Sequence, residues 1–108
     1  MILIVFKYLI PRGYRGLTFF PFVFLTNREE AIDKVFINHE KIHLRQQIEL
    51  LVLPFYVWYG IEFLMWLFIL KDIKQAYKRI SFEREAYKNE KDLNFLKSRS
   101  FWSFLKYL

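Results

Sequence analysis

The sequence predicts an α+β fold, mainly α, in a single domain over residues 1–108: an N-terminal β-hairpin, an HExxH helix, an apolar helical hairpin and a glutamate helix. Three observations predict it. Strand-length runs rich in Ile, Val and Phe are confined to the segment before Thr26. Apolar residues then recur at helical spacing from about Arg28. The chain has no repeat, low-complexity tract or Pro/Gly linker that would divide it.

The hairpin is read from Ile2 to Leu9 and Leu17 to Leu25, separated by Pro11, Arg12, Gly13, Tyr14, Arg15 and Gly16. Pro21 lies inside the second run and cannot donate to a ladder, so Leu17 to Leu25 is expected to be an edge strand. Met1 to Ile10 is apolar but has no basic residue ahead of it and no small-residue cleavage pattern after it. It is not read as a secretory signal.

Thr26 and Asn27, followed by Glu29 and Glu30, form a helix-start signal. Ala31, Ile32, Val35, Phe36, Ile42, His43 and Leu50 then place one helix from about Arg28 to Leu53, with Pro54 ending or kinking it. Leu51 to Leu70 is interrupted only by Pro54, Gly60 and Glu62 and is long enough for a membrane span. Lys71 to Leu96 turns charged and reads as one or two further helices, before an aromatic tail of Phe101, Trp102, Phe104 and Tyr107.

Composition removes whole classes of function. With 55% hydrophobic and 21% aromatic residues the chain has ample apolar surface to bury, which excludes intrinsic disorder. The absence of cysteine excludes disulfide frameworks, thiolate zinc sites and cysteine nucleophiles. The net charge of +6 would suit nucleic acid, but the aromatics sit in apolar runs rather than interleaved with Lys and Arg as a stacking platform requires. No nucleic-acid partner is expected. The basic excess after Leu70 suits anionic lipid headgroups instead.

The informative segment is Asn38-His39-Glu40-Lys41-Ile42-His43, which holds both histidines of the chain. On a helix, residues i and i+4 lie on one face, so both imidazoles can share a tetrahedral metal at about 2.0–2.1 Å. Glu40, about 100° further round the helix, reaches water bound to the metal rather than the metal itself. A catalytic zinc site keeps three protein ligands and one open position. With no other His and no Cys, the third donor must be a carboxylate, and Glu83, Glu85 and Glu90 are the candidates on the downstream helix. Glu83, Ala86, Tyr87 and Glu90 share one face, whereas Glu85 points nearly the opposite way. Gln46 and Gln47 follow on the HExxH helix and are expected to be solvated, the alternative being a hydrogen bond to a histidine or to substrate backbone. Tyr87 and Tyr77 are candidates for an oxyanion-stabilising hydroxyl, with ordinary packing the favoured role for Tyr77.

HExxH followed, after a hydrophobic stretch, by a glutamate helix resembles the gluzincin metallopeptidases, in particular membrane-associated types related to the CAAX prenyl protease and the antibiotic-sensor peptidases. The resemblance covers Asn38 to Glu90. It implies a minimal zincin-like fold binding Zn2+, with His39 and His43 as zinc ligands, Glu40 as catalytic base, Glu83 as third ligand and Ala86 as a small packing residue. Tyr87 stands where those families usually have an Asp that orients a histidine. The resemblance also implies a peptide or protein substrate lying along an edge strand, for which Leu17 to Thr26 is in the right chain position. The HE-x-IH-x-x-QQ and FEREAY patterns are similar to a group of small bacterial proteins for which the resemblance supplies no activity.

These readings constrain topology. Were Leu51 to Leu70 one complete span, Glu83 could not return to His43, because the polar residues after Leu70 cannot recross hydrocarbon. The stretch is therefore expected to double back at Pro54 and Gly60, inserted in the membrane from one side or lying at its surface, with a soluble cytoplasmic core hairpin as the alternative. Glu62 is expensive in lipid and is expected to face protein, water or a basic partner. Three functions follow as expectations: a membrane-associated zinc metallopeptidase, a zinc-binding protein without catalysis, and a basic membrane-anchored interaction protein without metal.

Overall fold

A computed structural model describes residues 1–108. The architecture is α+β and mainly α, with a small three-stranded sheet near the N-terminus followed by helices. The strands are β1 (Ile2–Val5), β2 (Gly16–Phe19) and β3 (Phe22–Leu25), in the order β1-β3-β2. β3 is central, parallel to β1 in the register Ile2↔Phe22 and antiparallel to β2 in the register Gly16↔Leu25.

The expected hairpin is therefore corrected. The second run does not form one edge strand: it folds on itself at Phe20 and Pro21, and its two halves are β2 and β3. A turn needs no ladder donor at the proline, so the missing N–H is harmless there. Ile2–Val5 joins the other edge of β3 in parallel: the segment from Phe6 to Arg15 carries the chain past the Leu25 end of β3, and β2 brings it back to the start of β3. Gly13, at φ 90°, turns this segment, and Lys74 Nζ donates to its carbonyl at 3.2 Å.

The helices are α1 (Lys34–Leu50), α2 (Val52–Leu70), α3 (Ile73–Arg79), α4 (Ser81–Asn89) and α5 (Phe95–Ser98), with a closing 3-10 turn at Ser103–Tyr107. Asn27 does cap, accepting from Glu30 N, but what it caps is a 3-10 turn over Arg28–Ile32. Asp33, in extended conformation, breaks that turn and caps α1 by accepting from Phe36 N at 3.1 Å. α1 ends at Leu50, three residues earlier than expected, because the φ of 58° at Leu51 takes that residue out of helical conformation.

The apolar helical hairpin within 51–70 is also corrected: α2 is one continuous helix. Pro54 falls in its first turn, where backbone N–H groups have no intrahelical acceptor anyway. Gly60 has open space beside it and costs only helix propensity, about 1 kcal/mol. The reversal comes at Lys71, left-handed at φ 55°, and Asp72, which caps α3 by accepting from Gln75 N at 3.0 Å. α3 runs back along α2. Its seven residues rise about 10 Å, enough to bring α4 beside the middle of α2. There Glu62 caps α4, accepting from Ser81 N at 2.8 Å and Ser81 Oγ at 2.5 Å, so this carboxylate faces protein.

Two apolar clusters fix the frame. Val23 and Leu25 of β3 pack on Phe36 and Leu44 of α1. Phe55 of α2 packs with Ile80, Phe82 and Phe104, the last drawn from the aromatic tail. α1, α2 and α4 are thereby held against one another, and the polar residues between them form the site.

Candidate metal centre

α1 presents His39, Glu40 and His43 inward, and all three are buried. α4 carries Glu83 in its first turn, also buried. His39 Nε2 and His43 Nε2 are 3.2 Å apart, and Glu83 Oε1 lies 3.2 Å from the first and 3.0 Å from the second. A tetrahedral ion at about 2.05 Å from its ligands has ligand-to-ligand edges of about 3.3 Å, so this triangle is the face of such a site. His39, His43 and Glu83 form a buried group able to hold a metal ion.

The hydrogen bonds behind the triangle decide which nitrogens carry protons. His43 Nδ1 is 2.8 Å from Gln46 Oε1, and His39 Nδ1 is 3.1 Å from Glu90 Oε1. Both partners are acceptors, so both Nδ1 atoms are donors and both Nε2 lone pairs face Glu83 Oε1. Three converging lone pairs repel unless a cation lies between them. Without a metal, protons take that place: burial disfavours the charged imidazole, but the Glu83 carboxylate and its hydrogen bond more than offset this and raise His43 to about 9. Burial likewise disfavours the Glu83 anion, and the two histidines outweigh it, holding Glu83 well below the usual carboxylate range.

Of the three candidate carboxylates, Glu83 alone joins the triangle. Glu90 orients His39, the role for which the resemblance expects an Asp at the position of Tyr87. Tyr87 instead packs edge-on against the His39 ring, 4.5 Å between centroids, and its hydroxyl is 3.4 Å from that of Tyr77. Glu85 is fully buried away from the triangle and paired with Arg99. Ala86 is fully buried on α4.

The expectation that Gln46 and Gln47 are solvated is overturned, since both are buried. Gln46 donates from Nε2 to Phe82 O at 3.1 Å and Glu85 Oε1 at 2.8 Å. Gln47 clamps β2: its Nε2 donates to Thr18 O at 2.8 Å and its Oε1 accepts from Phe20 N at 2.7 Å. The doublet faces inward because the small sheet on one side and α4 on the other both approach α1 there. Sequence reasoning also missed Thr18, Tyr59 and Arg99. Thr18 donates its hydroxyl to Glu40 Oε2, and Tyr59 of α2 donates to Glu83 Oε2 at 2.6 Å. No local spacing links these residues to the motif, because each comes from a different element.

A cavity of about 360 Å³ opens beside the triangle. Glu40, His43 and Glu83 form its polar wall, and Leu17, Phe55, Tyr56, Tyr59, Ile73 and Tyr77 line much of the rest. Tyr77 thus faces the cavity as well as packing edge-on against Tyr14 and Tyr87. Gly16 makes the close approach of β2 to α1: a Cβ there would stand 2.7 Å from Phe36 Cζ, 2.9 Å from Phe24 O and 3.6 Å from Glu40 Oε1.

Comparison of the chain with protein-family models, with curated proteins and with solved structures finds no match.

Proposed function

We propose that the protein is a zinc-dependent metallopeptidase that works at a membrane surface. The observation that carries this reading is the triangle of His39 Nε2, His43 Nε2 and Glu83 Oε1, with both Nδ1 atoms already donating elsewhere and Glu40 on the same cavity wall. Two imidazoles and a carboxylate suit zinc, and a catalytic zinc held by these three residues would keep a fourth position for water or substrate. When bound, zinc supplies an acidified water and polarises a carbonyl. Thr18 holds Glu40 Oε2, so Oε1 is the oxygen through which Glu40 would accept the proton of that water. Tyr59 holds the second oxygen of Glu83, so that Glu83 would offer a metal Oε1 alone. Of the two tyrosine candidates for oxyanion stabiliser, Tyr77 lines this cavity and Tyr87, packed on His39, does not, so the Tyr77 hydroxyl is the proposed stabiliser. The apolar cavity suits a peptide substrate presenting a large hydrophobic side chain.

The membrane part of the reading rests on α2, which is long and apolar enough to cross a bilayer. Leu53, Val57, Ile61, Leu64 and Phe68, spaced four, four, three and four residues apart, are each more than 60% exposed and make one apolar stripe. α3 brings Lys74, Lys78 and Arg79 alongside the same helix, and these charges would be stranded in hydrocarbon by a perpendicular span. In the proposed arrangement α2 lies along the interface, stripe toward the acyl chains.

Zinc content tests the ligand set. One zinc per purified chain, lost in Glu83→Ala, is expected. With zinc retained, Glu40→Gln is expected to abolish hydrolysis of apolar peptides. Val57→Glu with Ile61→Glu is expected to end binding to anionic vesicles at unchanged zinc content. A folded wild type without zinc affinity sinks the reading.

One observation favours a second reading, a zinc protein without catalysis. On the edge of β2 facing α1, Thr18 O already accepts from Gln47 Nε2 and from the Tyr56 hydroxyl. A substrate strand added at this edge has to displace them. Biological activity surviving Glu40→Gln would select this alternative.

A further inference from the structure

We propose that Arg99, in the segment leading to the aromatic tail, is a positioning residue for the metal centre, acting through Glu85 and Gln46 to fix which nitrogen of His43 is offered to the ion. The proposal rests on the reading that His39, His43 and Glu83 hold zinc.

The contacts form a continuous buried line. Arg99 Nε and Nη2 donate to Glu85 Oε2 and Oε1, each at 3.0 Å, and Nη1 donates to Glu49 Oε2 at 2.6 Å. Gln46 Nε2 donates to Glu85 Oε1 at 2.8 Å, and Gln46 Oε1 faces His43 Nδ1 at 2.8 Å. The side chains of Arg99 and Glu85 are fully buried, as is Gln46.

Each link has a fixed direction. A guanidinium only donates, so both Glu85 oxygens that it touches are acceptors. The amide nitrogen of Gln46 must then turn to Glu85 Oε1, a choice reinforced by Phe82 O, which can only accept. The amide oxygen is left facing His43, Nδ1 must carry the proton, and Nε2 is left as the ligand. A Gln46 amide turned the other way would offer donors to Nδ1, put the proton on Nε2 and remove a zinc ligand. Arg99 is the charge that holds the line in one sense. Glu49, its other partner, sits on α1 one turn beyond Gln46, so the guanidinium also ties the C-terminal segment to the helix that carries the motif.

The test uses the full chain, zinc as the probe, and two readouts: zinc affinity by chelator competition, and the Nδ1–H resonances of the zinc-loaded protein labelled with 15N-histidine. Only two histidines contribute. In wild type both Nδ1–H signals are expected to be protected from exchange. Gln46→Met and Arg99→Met are each expected to weaken zinc about 10- to 100-fold and to expose the His43 signal while the His39 signal, held by Glu90, is unchanged. Arg99→Lys keeps the charge but loses the two-pronged contact, and is expected to fall between wild type and Arg99→Met. Should Arg99→Met not fold, Arg99→Lys decides the matter. Wild-type affinity and an unchanged His43 signal in the folded Arg99 variants overturn this proposal alone, whereas a wild type that binds no zinc overturns the metallopeptidase reading with it.

Discussion

The Tyr59 hydroxyl donates to Glu83 Oε2 at 2.6 Å, so only Oε1 of that carboxylate faces the two imidazoles. Tyr59 belongs to the long apolar helix and Glu83 to the charged one, and their bond joins the two halves of the site. Tyr59→Phe keeps the ring packing against Phe55 and Phe82 but frees the second oxygen. Zinc affinity is expected to fall about tenfold or more, and the fold to lose about 1–3 kcal/mol because the buried Oε2 is left without its donor, measured by chelator competition and calorimetry.

The metal-free site predicts its own pH dependence. His43 is raised from 6.5 to about 9 on folding, so its contribution to stability is fully present below 6.5 and is lost as pH rises through about 9. Glu83 is lowered from 4.5, so its contribution is present above 4.5 and is lost as pH falls through its lowered value. The pair therefore favours the metal-free fold most between about pH 4.5 and 6.5. Zinc must displace the His43 proton, so its affinity is expected to rise with pH up to about 9 and then level off. Calorimetric zinc titrations in buffers of different ionisation enthalpy check the released proton.

Gly16 is a packing constraint between β2 and the Phe36 ring of α1. Its missing Cβ is the space through which β2 reaches Phe36 and Glu40, and Gly16→Ala puts a carbon 2.7 Å from Phe36 Cζ. Overpacking of this kind costs about 1–3 kcal/mol. Denaturant unfolding of Gly16→Ala is expected to show a loss of that order.

Glu62 caps α4 from the middle of α2 through two hydrogen bonds to Ser81. Glu62→Ala leaves the Ser81 N–H and hydroxyl buried without that partner, at about 1–3 kcal/mol. A loss of about 4–8 °C in melting temperature per kcal/mol is expected for a domain of this size. Unchanged melting would mean that α4 is held by the Phe55–Phe82–Phe104 cluster alone.

How much was legible in the sequence varied with the distance over which each signal acts. The HExxH helix and the shared face of the metal-capable His39–His43 pair follow from helical spacing alone, because i and i+4 share a face whatever surrounds the helix. Pro21 leads to the expectation of one edge strand over Leu17 to Leu25, yet Phe22–Leu25, directly after it, is the central strand. The proline marks a turn instead, since the choice between edge and turn depends on the partner strand. The reversal expected at Pro54 and Gly60 occurs at Lys71, because a proline in the first helical turn breaks nothing.

What the sequence by itself determined is therefore local: the class of fold, the residues able to ligate a metal, the apolarity of α2 and the charge of the segment after it. Tertiary structure brought Glu83, the third ligand implied by the resemblance, to both histidines, and it alone decided that Glu90 orients His39, that Gln46 and Gln47 are buried, and what Thr18, Tyr59 and Arg99 do. The physical reason is that a side-chain type and its helical phase are properties of a few neighbouring residues. Which lone pair meets which proton is set by segments far apart in the chain, brought together only when two apolar clusters close around them.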